Sequence, residues 1–599
     1  MFELLNKLSP LPDEGIPALV PPAGDPAWES IDPAMRGEIL SRAAAWAEKP
    51  WPMRTATGFL AFVHTGSRKA DEDPYFSRRR KLCWAVLRCC AEPDAPLDDV
   101  VDGLWLLCEE TSWVISAHNV NPIPGAPSPA EFPLPDPDAP YIDLFSAQTG
   151  MILSIACALL RERLDAVTPM LAARVRRELE RRILTPFMTC DEFWWMGFIR
   201  KDLCNWTPWI LSNILWCAFL NPMDGEHRRA LVVRAGAMLD RWLDVVPADG
   251  GCDEGAGYWN MAGGALLDCL ELLEKVAGIR LWNEPKIRNI LRFPLCAELG
   301  GGWFVNFADC DARPFLSGER LQFAGEKLGE PALTALGQRV RGSLDRQLSD
   351  VPHLTRLLSL LFHPAGNPLP ETAPGDTWLP DLQLRVVRRG AWTLACKGGH
   401  NGESHNHNDV GSFLLFRNGE PEIVDAGNMT YTAKTFSDRR YELWNTRSAW
   451  HNLPLIGGAE QQPGAAHAAR EVALLPDGLS LDLADAYGPE ACVGTLRRAL
   501  TLTERGLTLR DEIALREAKP MTWVFLLRHE PTLEAGCCTA GGIRIRFSPE
   551  LRAEAEERPV DDPRMAACYP GSLWRIRLTA APSRAHDRTF TVEGSDPHA

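Results

Sequence analysis

The apolar residues of this chain change period once, and the change falls on a run of prolines. From about Pro33 to Leu361 they recur at i, i+3 and i+4, the spacing of amphipathic helices. Segments 36–47, 81–91, 147–164, 171–184, 207–219, 228–246 and 264–276 all read this way. Within 228–246 the stripe is Leu231, Ala235, Leu239, Trp242 and Val245. Loops of Pro, Gly, Asp and Asn separate these segments, which predicts stacked αα-hairpins. Five prolines between His363 and Pro380 then mark a linker. Beyond it the period is 2. Residues 479–483, 499–503 and 507–510 alternate, the last two joined by a turn at Arg505-Gly506. Shorter strand signals fall at 384–387, 392–396, 523–527, 542–547 and 573–578. Many short strands separated by turns predict an antiparallel β-sandwich. The expected order is an irregular lead-in over 1–30, a helical domain over 31–363, a linker over 364–380 and a sandwich over 381–599.

Composition narrows the classes. At 599 residues the chain is too long for one core. A net charge of −16 argues against a nucleic-acid partner over the whole surface, although a cleft can still be locally basic. No apolar run reaches the length of a membrane span, so no membrane partner is expected. The first residues lack a basic segment followed by an apolar one, which makes a cytoplasmic location the expectation, with a periplasmic or secreted one if a leader has been trimmed. The 17 cysteines are scattered and form no CxxC pair, the pattern of reduced, mostly buried thiols. Most of the 21 tryptophans are expected in the core, but flat indole faces also stack on sugars, so a carbohydrate ligand carries some weight. Oligomeric state is not encoded at this level.

The densest chemistry lies in the second half. Gly398-Gly399-His400-Asn401-Gly402-Glu403-Ser404-His405-Asn406-His407-Asn408-Asp409 holds three of the chain's 13 histidines. On an extended strand His405 and His407 would project from one face. A strand-like run over 412–416, a turn at Asn418-Gly419 and a second run over 422–425 predict a hairpin that brings Asp425 back towards them. His451 follows in Ala449-Trp450-His451-Asn452. Imidazoles with a carboxylate suit a divalent metal, zinc first, with manganese or calcium as alternatives.

The helical half contributes three stretches with unusual polar content. They are 109–119, which includes Glu110 and His118; Asp202-Leu203-Cys204-Asn205-Trp206-Thr207-Pro208-Trp209; and Asp249-Gly250-Gly251-Cys252-Asp253-Glu254-Gly255-Ala256-Gly257-Tyr258-Trp259-Asn260. Taken singly, the glycines are turns, Asn205 is a helix cap and Tyr258 is packing. Functional residues nevertheless concentrate on loops held by rigid scaffolds.

Together, Asp-Gly-Gly-x-Asp-Glu-Gly-x-x-Tyr in a helical domain and Ser-His-Asn-His-Asn-Asp in a β domain resemble the heparinase II/III-like polysaccharide lyases. The resemblance implies an N-terminal (α/α) toroid of helical hairpins followed by a C-terminal antiparallel β-sandwich. It implies β-elimination next to a uronic acid in an acidic polysaccharide or oligosaccharide, glycosaminoglycans such as hyaluronan, chondroitin or heparan sulfate first and alginate or oligoalginate second. It assigns Asn205 to neutralising the substrate carboxylate, Tyr258 to acid and base work, and His405 to a second base or neutraliser. It assigns His407, Asp425 and His451 to a structural metal.

One position departs from the family pattern. Several members carry Asn-His where this chain has Asn205-Trp206. His118 is the candidate to supply the missing imidazole. Glu254 is a candidate sugar or supporting carboxylate, and His400 a further candidate in the histidine stretch. Among the basic residues that could meet an anionic chain, Arg439, Arg440 and Arg447 stand out because they lie between Asp425 and His451. Two other classes compete with the lyase. A toroid glycoside hydrolase would recruit Glu110, Asp253 and Glu254 as opposed carboxylates. A carbohydrate-binding protein would keep the tryptophans and the metal without turnover.

Overall fold

The computed structural model describes residues 11–13, 16, 19–119, 132–371, 374–432, 434–435 and 437–595. Much of the expected lead-in and the last four residues therefore lie outside the described residues. The chain forms two compact units. The first comprises 1–246, 260–284 and 316–370; the second comprises 247–259, 285–315 and 371–599.

The first unit is helical, and the helices follow the periodicity closely. Pro33–Ala47, Trp206–Leu220, Gly225–Val245 and Gly263–Ala277 extend the expected segments by a few residues at most. Asp32 caps the first of these, with Oδ1 accepting the Ala34 and Met35 N–H groups at 2.9 and 3.1 Å. Lys69–Ala91 starts 12 residues earlier than the pattern suggested, more than three turns, and carries Pro74 near its N-terminus. The expected helix over 147–164 is instead a pair, Leu144–Leu159 and Arg161–Val167, bent by 83°. Nearly all of Leu144–Leu159 is buried, which explains its all-round apolar sequence. No single helix among the described residues is long and apolar enough to cross a membrane.

The second unit is an antiparallel β structure built on two long strands, Gly506–Leu527 and Ser572–Gly594. They pair from Gly506↔Glu593 to Leu527↔Trp574. The first part of Gly506–Leu527 also carries Val493–Thr503, and its far end carries Pro454–Ile456 and meets Ile423. Thr377–Leu379, Leu384–Arg389, Trp392–Lys397, Phe413–Arg417 and Glu420–Ile423 complete that side. The alternation read in the sequence is the burial pattern: Leu507, Leu509 and Ile513 face the core while Thr508, Arg510 and Glu512 face out. The core between the strands includes Leu394, Phe413, Leu415, Leu481, Leu500, Phe525 and Phe590.

The division is not a single cut at the proline-rich segment. Thr377–Leu379, inside the expected linker, is a strand paired with Leu384–Arg389. Segments 247–259 and 285–315 interrupt the helical half of the sequence yet belong to the β unit. Asp249 explains part of this, because its Oδ2 accepts the Asp381 N–H at 2.7 Å. Tyr258 is thus a residue of the β unit.

One buried ion pair links this core to the loops that carry the histidines. Arg498 and Asp511 are 1% and 0% exposed and meet through two bonds of 2.9 and 2.7 Å. The other arm of Arg498 donates to Gly411 O at 2.9 Å and Asn452 O at 2.7 Å. Asn452 in turn donates to Phe413 O and Val424 O and accepts from Leu526 N. Arg498→Met leaves Asp511 as an uncompensated buried charge. Urea unfolding is expected to show a loss of about 3–5 kcal/mol, and Arg498→Met with Asp511→Leu to recover much of it.

Candidate active site and metal cluster

The site grows from two turns and a loop of the β unit. The first turn is the hairpin tip, where Asn418 and Gly419 both take positive φ, 53° and 77°, as a tight two-residue connection requires. It returns the chain through Glu420–Ile423 to Asp425, as the sequence suggested. The second turn corrects the sequence reading. Residues 404–407 are not a strand, and His405 sits at φ 54°. That strained conformation is held from outside. Arg440 donates to His405 O at 2.8 Å and Asn406 O at 2.9 Å, and the Asp309 N–H donates to His405 O at 3.2 Å. The two imidazoles consequently serve different groups.

His407 turns inward to Asp425 and His451. All three are fully buried, with candidate ligand atoms within 4.8 Å of one another. His451 Nδ1 lies 2.7 Å from Asp425 Oδ2, and His407 Nε2 lies 3.0 Å from Asp309 Oδ1. The remaining ring nitrogens, His407 Nδ1 and His451 Nε2, are buried without a hydrogen-bond partner. Two orphaned imidazole nitrogens beside a buried carboxylate fit a divalent cation.

His405 turns the other way, into a cluster of phenols and carboxylates. Its Nδ1 lies 3.1 Å from Asp309 Oδ2, 3.3 Å from the Tyr431 hydroxyl and 3.5 Å from the Tyr258 hydroxyl. The Tyr258 and Tyr431 hydroxyls are in short contact with each other. Glu254 Oε1 stands 3.7 Å from His405 Nε2. Asp309 therefore spans both halves, one oxygen on His405 and the other on His407, with Arg440 at 2.9 Å. Burial alone would raise its carboxyl. The hydrogen bonds from the two histidines and the charge of Arg440 outweigh that and hold it well below the usual carboxylate range.

Tyr258 is presented by a 3-10 turn, Ala256–Asn260, at the end of the Gly-rich loop. Two acids of that loop are structural clasps. Asp249 holds the Gly251 N–H at 2.8 Å, and Asp253 holds the Ser404 N–H at 2.9 Å, which fastens the loop to the histidine turn. Gly255 has φ 84°, and a Cβ there would lie 2.6 Å from Cys310 Cβ, so only glycine lets the loop pack this closely. Burial, reinforced by Tyr431, Glu254 and Asp309, pushes the Tyr258 phenol well above the ordinary tyrosine value. The charge of Arg564 reaches both phenols, but it does not offset these effects, so Tyr258 lacks the lowering that a tyrosine base requires. Burial also raises Tyr431, to about 12.

Other candidates from the sequence separate cleanly. Arg440 belongs to the site as described. Arg439 and Arg447 are spent on surface pairs with Glu442 and Glu460. His400 accepts the Gly402 N–H at 3.1 Å in a surface turn. In the helical unit, Glu110 is buried among Arg54, Arg78 and Arg79 at 3.7, 3.2 and 2.8 Å, a structural knot that leaves it no role as a hydrolytic acid. Its carboxyl sits below the usual range; burial opposes this, and Arg79 and Arg54 outweigh it. His118 Nδ1 is 2.8 Å from Asp143 Oδ2, and its ring is 4.8 Å from that of Trp206. Asn205 is half-buried and precedes helix Trp206–Leu220. The sequence missed Asp309 and Tyr431. Asp309 sits in an unremarkable Asp-Cys-Asp run, and Tyr431 is one of only seven tyrosines, six residues after Asp425.

Residues 371–589 match the family model for the heparinase II/III-like C-terminal domain. The C-terminal domain is heparinase II/III-like. The resemblance carried by the motifs therefore holds, and solved structures extend the likeness in fold to the whole chain. Two heparinase III structures align with TM-scores of 0.61 and 0.62 at 12% and 11% identity, covering 94% and 95% of this chain and 89% and 93% of theirs. The heparan sulfate lyase HepC from Pedobacter heparinus aligns with a TM-score of 0.58 at 12% identity, over 94% of this chain and 88% of its own. Curated protein sequences give no match. The fold class is as expected, a helical toroid-type N-terminal region followed by a β-sandwich region.

Elemental analysis of the purified protein is expected to find about one equivalent of a divalent metal, lost in His451→Ala and His407→Ala. A metal-free, fully stable wild type contradicts the ligand assignment.

Proposed function

We propose that this protein is a polysaccharide lyase that cleaves uronate-containing glycans by β-elimination. The observation that carries the reading is the pairing of a phenol kept protonated with an imidazole anchored by a carboxylate. A uronate C5–H is weakly acidic because it is α to a carboxyl group. Elimination needs a base at C5, an acid at the leaving O4 and a donor to the carboxylate.

Asp309 accepts from His405 Nδ1–H, which leaves Nε2 as the basic atom of the ring. In this scheme His405 Nε2 takes the C5 proton. The electron pair forms the C4–C5 double bond as the C4–O4 bond breaks. Tyr258, whose raised phenol stays protonated at neutral pH, gives its proton to O4. The proton left on His405 and the one lost from Tyr258 are then rebalanced by exchange with solvent, and Tyr431, in hydroxyl contact with Tyr258, holds that phenol in place. Asn205 keeps, as a proposal from the motif, the task of donating to the uronate carboxylate.

Arg440 is a positioning residue, since its donors are committed to backbone carbonyls and to Asp309. A divalent cation, zinc foremost, bound by His407, Asp425 and His451 would supply a rigid cross-link beneath the His405 turn. The substrate class proposed is a glycosaminoglycan, on the strength of the fold likeness to heparinase III and heparan sulfate lyase structures, with alginate oligomers next.

Incubation with a panel of hyaluronan, chondroitin, heparan sulfate and alginate oligomers is expected to release products with the ultraviolet absorbance of an unsaturated uronate. Tyr258→Phe should lower that rate by about 10²–10⁴-fold. Products that are saturated, or an unchanged rate in the variant, would falsify the lyase reading or the role of Tyr258 respectively.

A further inference from the structure

The run Asp309-Cys310-Asp311 carries a second carboxylate, which the reaction scheme leaves unused. Asp309 is spent on His405 and His407. Two residues on, Asp311 takes the guanidinium of Arg564 in a two-pronged pair: Oδ1 accepts Nε–H at 2.8 Å and Oδ2 accepts Nη2–H at 3.0 Å. Arg564 lies on the short helix Pro563–Cys568, set between strands Arg552–Pro559 and Ser572–Gly594. Pro563 opens that helix and Asp562 caps it, with Oδ1 accepting the Arg564 and Met565 N–H groups at 3.0 and 3.1 Å. The other oxygen of Asp562 accepts the Thr430 N–H at 3.0 Å, so the cap also fastens the residue before Tyr431.

These contacts fix a positive charge beside the phenols. The guanidinium carbon of Arg564 stands 5.4 Å from the centre of the Tyr431 ring, and the Tyr431 hydroxyl touches that of Tyr258. Burial opposes the charge on Arg564, but its hydrogen bonds and ion pair with Asp311 outweigh that and keep it protonated. The same charge acts against the burial-driven rise of the Tyr431 phenol. The Arg564 and Asp311 side chains are 38% and 25% exposed, and an ion pair so exposed contributes little to stability. What the pair supplies is a sign of charge in the right place. Glu254 and Asp309 both bear on Tyr258 with negative charge. Arg440 is committed to Asp309 and to three backbone carbonyls. Arg564 brings positive charge to the pair from the side of the second phenol.

That charge matters at one step. When Tyr258 protonates the leaving O4, its O–H bond breaks, the proton forms the O4–H bond of the departing sugar, and the electron pair stays on the phenol oxygen. A phenolate then sits in a buried place beside two carboxylates, until solvent returns a proton. The Tyr431 hydroxyl can donate to it, and a cation over the Tyr431 ring strengthens that donor. We propose that Arg564, held by Asp311 and by the helix that Asp562 caps, is a positioning residue of the acid step, stabilising the Tyr258 phenolate through Tyr431. The proposal rests on the lyase reading of the site.

The test measures kcat and KM for unsaturated product with the oligomer that the wild type cleaves fastest among hyaluronan, chondroitin, heparan sulfate and alginate. The full-length variants are Arg564→Lys, Arg564→Gln and Arg564→Met. Lysine keeps the charge, glutamine keeps a donor to Asp311 without the charge, and methionine keeps neither. Arg564→Gln and Arg564→Met should each lower kcat about 30-fold with KM changed less than about twofold, while Arg564→Lys should keep about a third of kcat or more. Should Arg564→Met melt at a lower temperature than the wild type, the comparison of lysine with glutamine decides, because both retain a donor to Asp311. Arg564→Gln turning over as fast as Arg564→Lys overturns the proposal. A raised KM at unchanged kcat overturns it too, and makes Arg564 a contact for a substrate anion instead. A wild type that yields no unsaturated product from any of the four sinks the lyase reading and this proposal with it, whereas an active wild type with an unimpaired Arg564→Gln sinks this proposal alone.

Discussion

One buried carboxylate holds the proposed chemistry together. Asp309 is 3% exposed and accepts from His405, His407 and Arg440 at once. Its two oxygens point at two different tasks. One orients the imidazole that faces the phenols; the other orients an imidazole of the metal cluster. Without the Asp309 carboxylate the left-handed turn at His405 would lose its charged partner, leaving its carbonyl held by Arg440 and the residue 309 N–H. A buried acid that satisfies three cationic or polar groups is costly to disturb, and that cost keeps the turn in a conformation most residues avoid.

The rest of the β unit is arranged to keep these groups in place. The hairpin ending at Ile423 delivers Asp425, and Asn452 locks the segment carrying His451 to Phe413, Val424 and Leu526. Arg498 reaches from the sandwich core to the same loops. Side-chain clasps from Asp249 and Asp253 bring the Gly-rich loop, and with it Tyr258, against the histidine turn. A precise site therefore rests on loops, but each loop is fastened at a named carboxylate or amide.

How much of this could be read in the sequence depended on the range of the interaction. Periodicity is local, so the helices and the alternating strands were legible, including the buried face of Gly506–Leu527. The hairpin was legible because turn chemistry is local too; the set His407, Asp425 and His451 came with the family resemblance, since spacing alone put His405 and His407 on one face. The bend after Leu159 was not, since an all-apolar helix gives no phase to interrupt. The strand reading of 405–407 failed because a positive φ is imposed by Arg440 and Asp309, which lie far away in sequence. Asp309 and Tyr431 escaped for the same reason: neither sits in a motif, and only the fold brings them to His405. Glu110 looked reactive beside His118, yet three arginines from another helix and loop claim it. The assignment of Tyr258 to the helical half failed because chain order does not dictate which core a loop joins.

The coupling through Asp309 is tested most directly by steady-state release of unsaturated product from Asp309→Asn protein, with metal content measured on the same sample. The amide keeps the size of the side chain but removes the charge and one acceptor, so His405 loses the partner that fixes its tautomer. The account predicts a fall in kcat of about 100-fold or more with little change in KM and with the fold retained. A variant that turns over at the wild-type rate would show that Asp309 does not orient the base, and the central claim would fail.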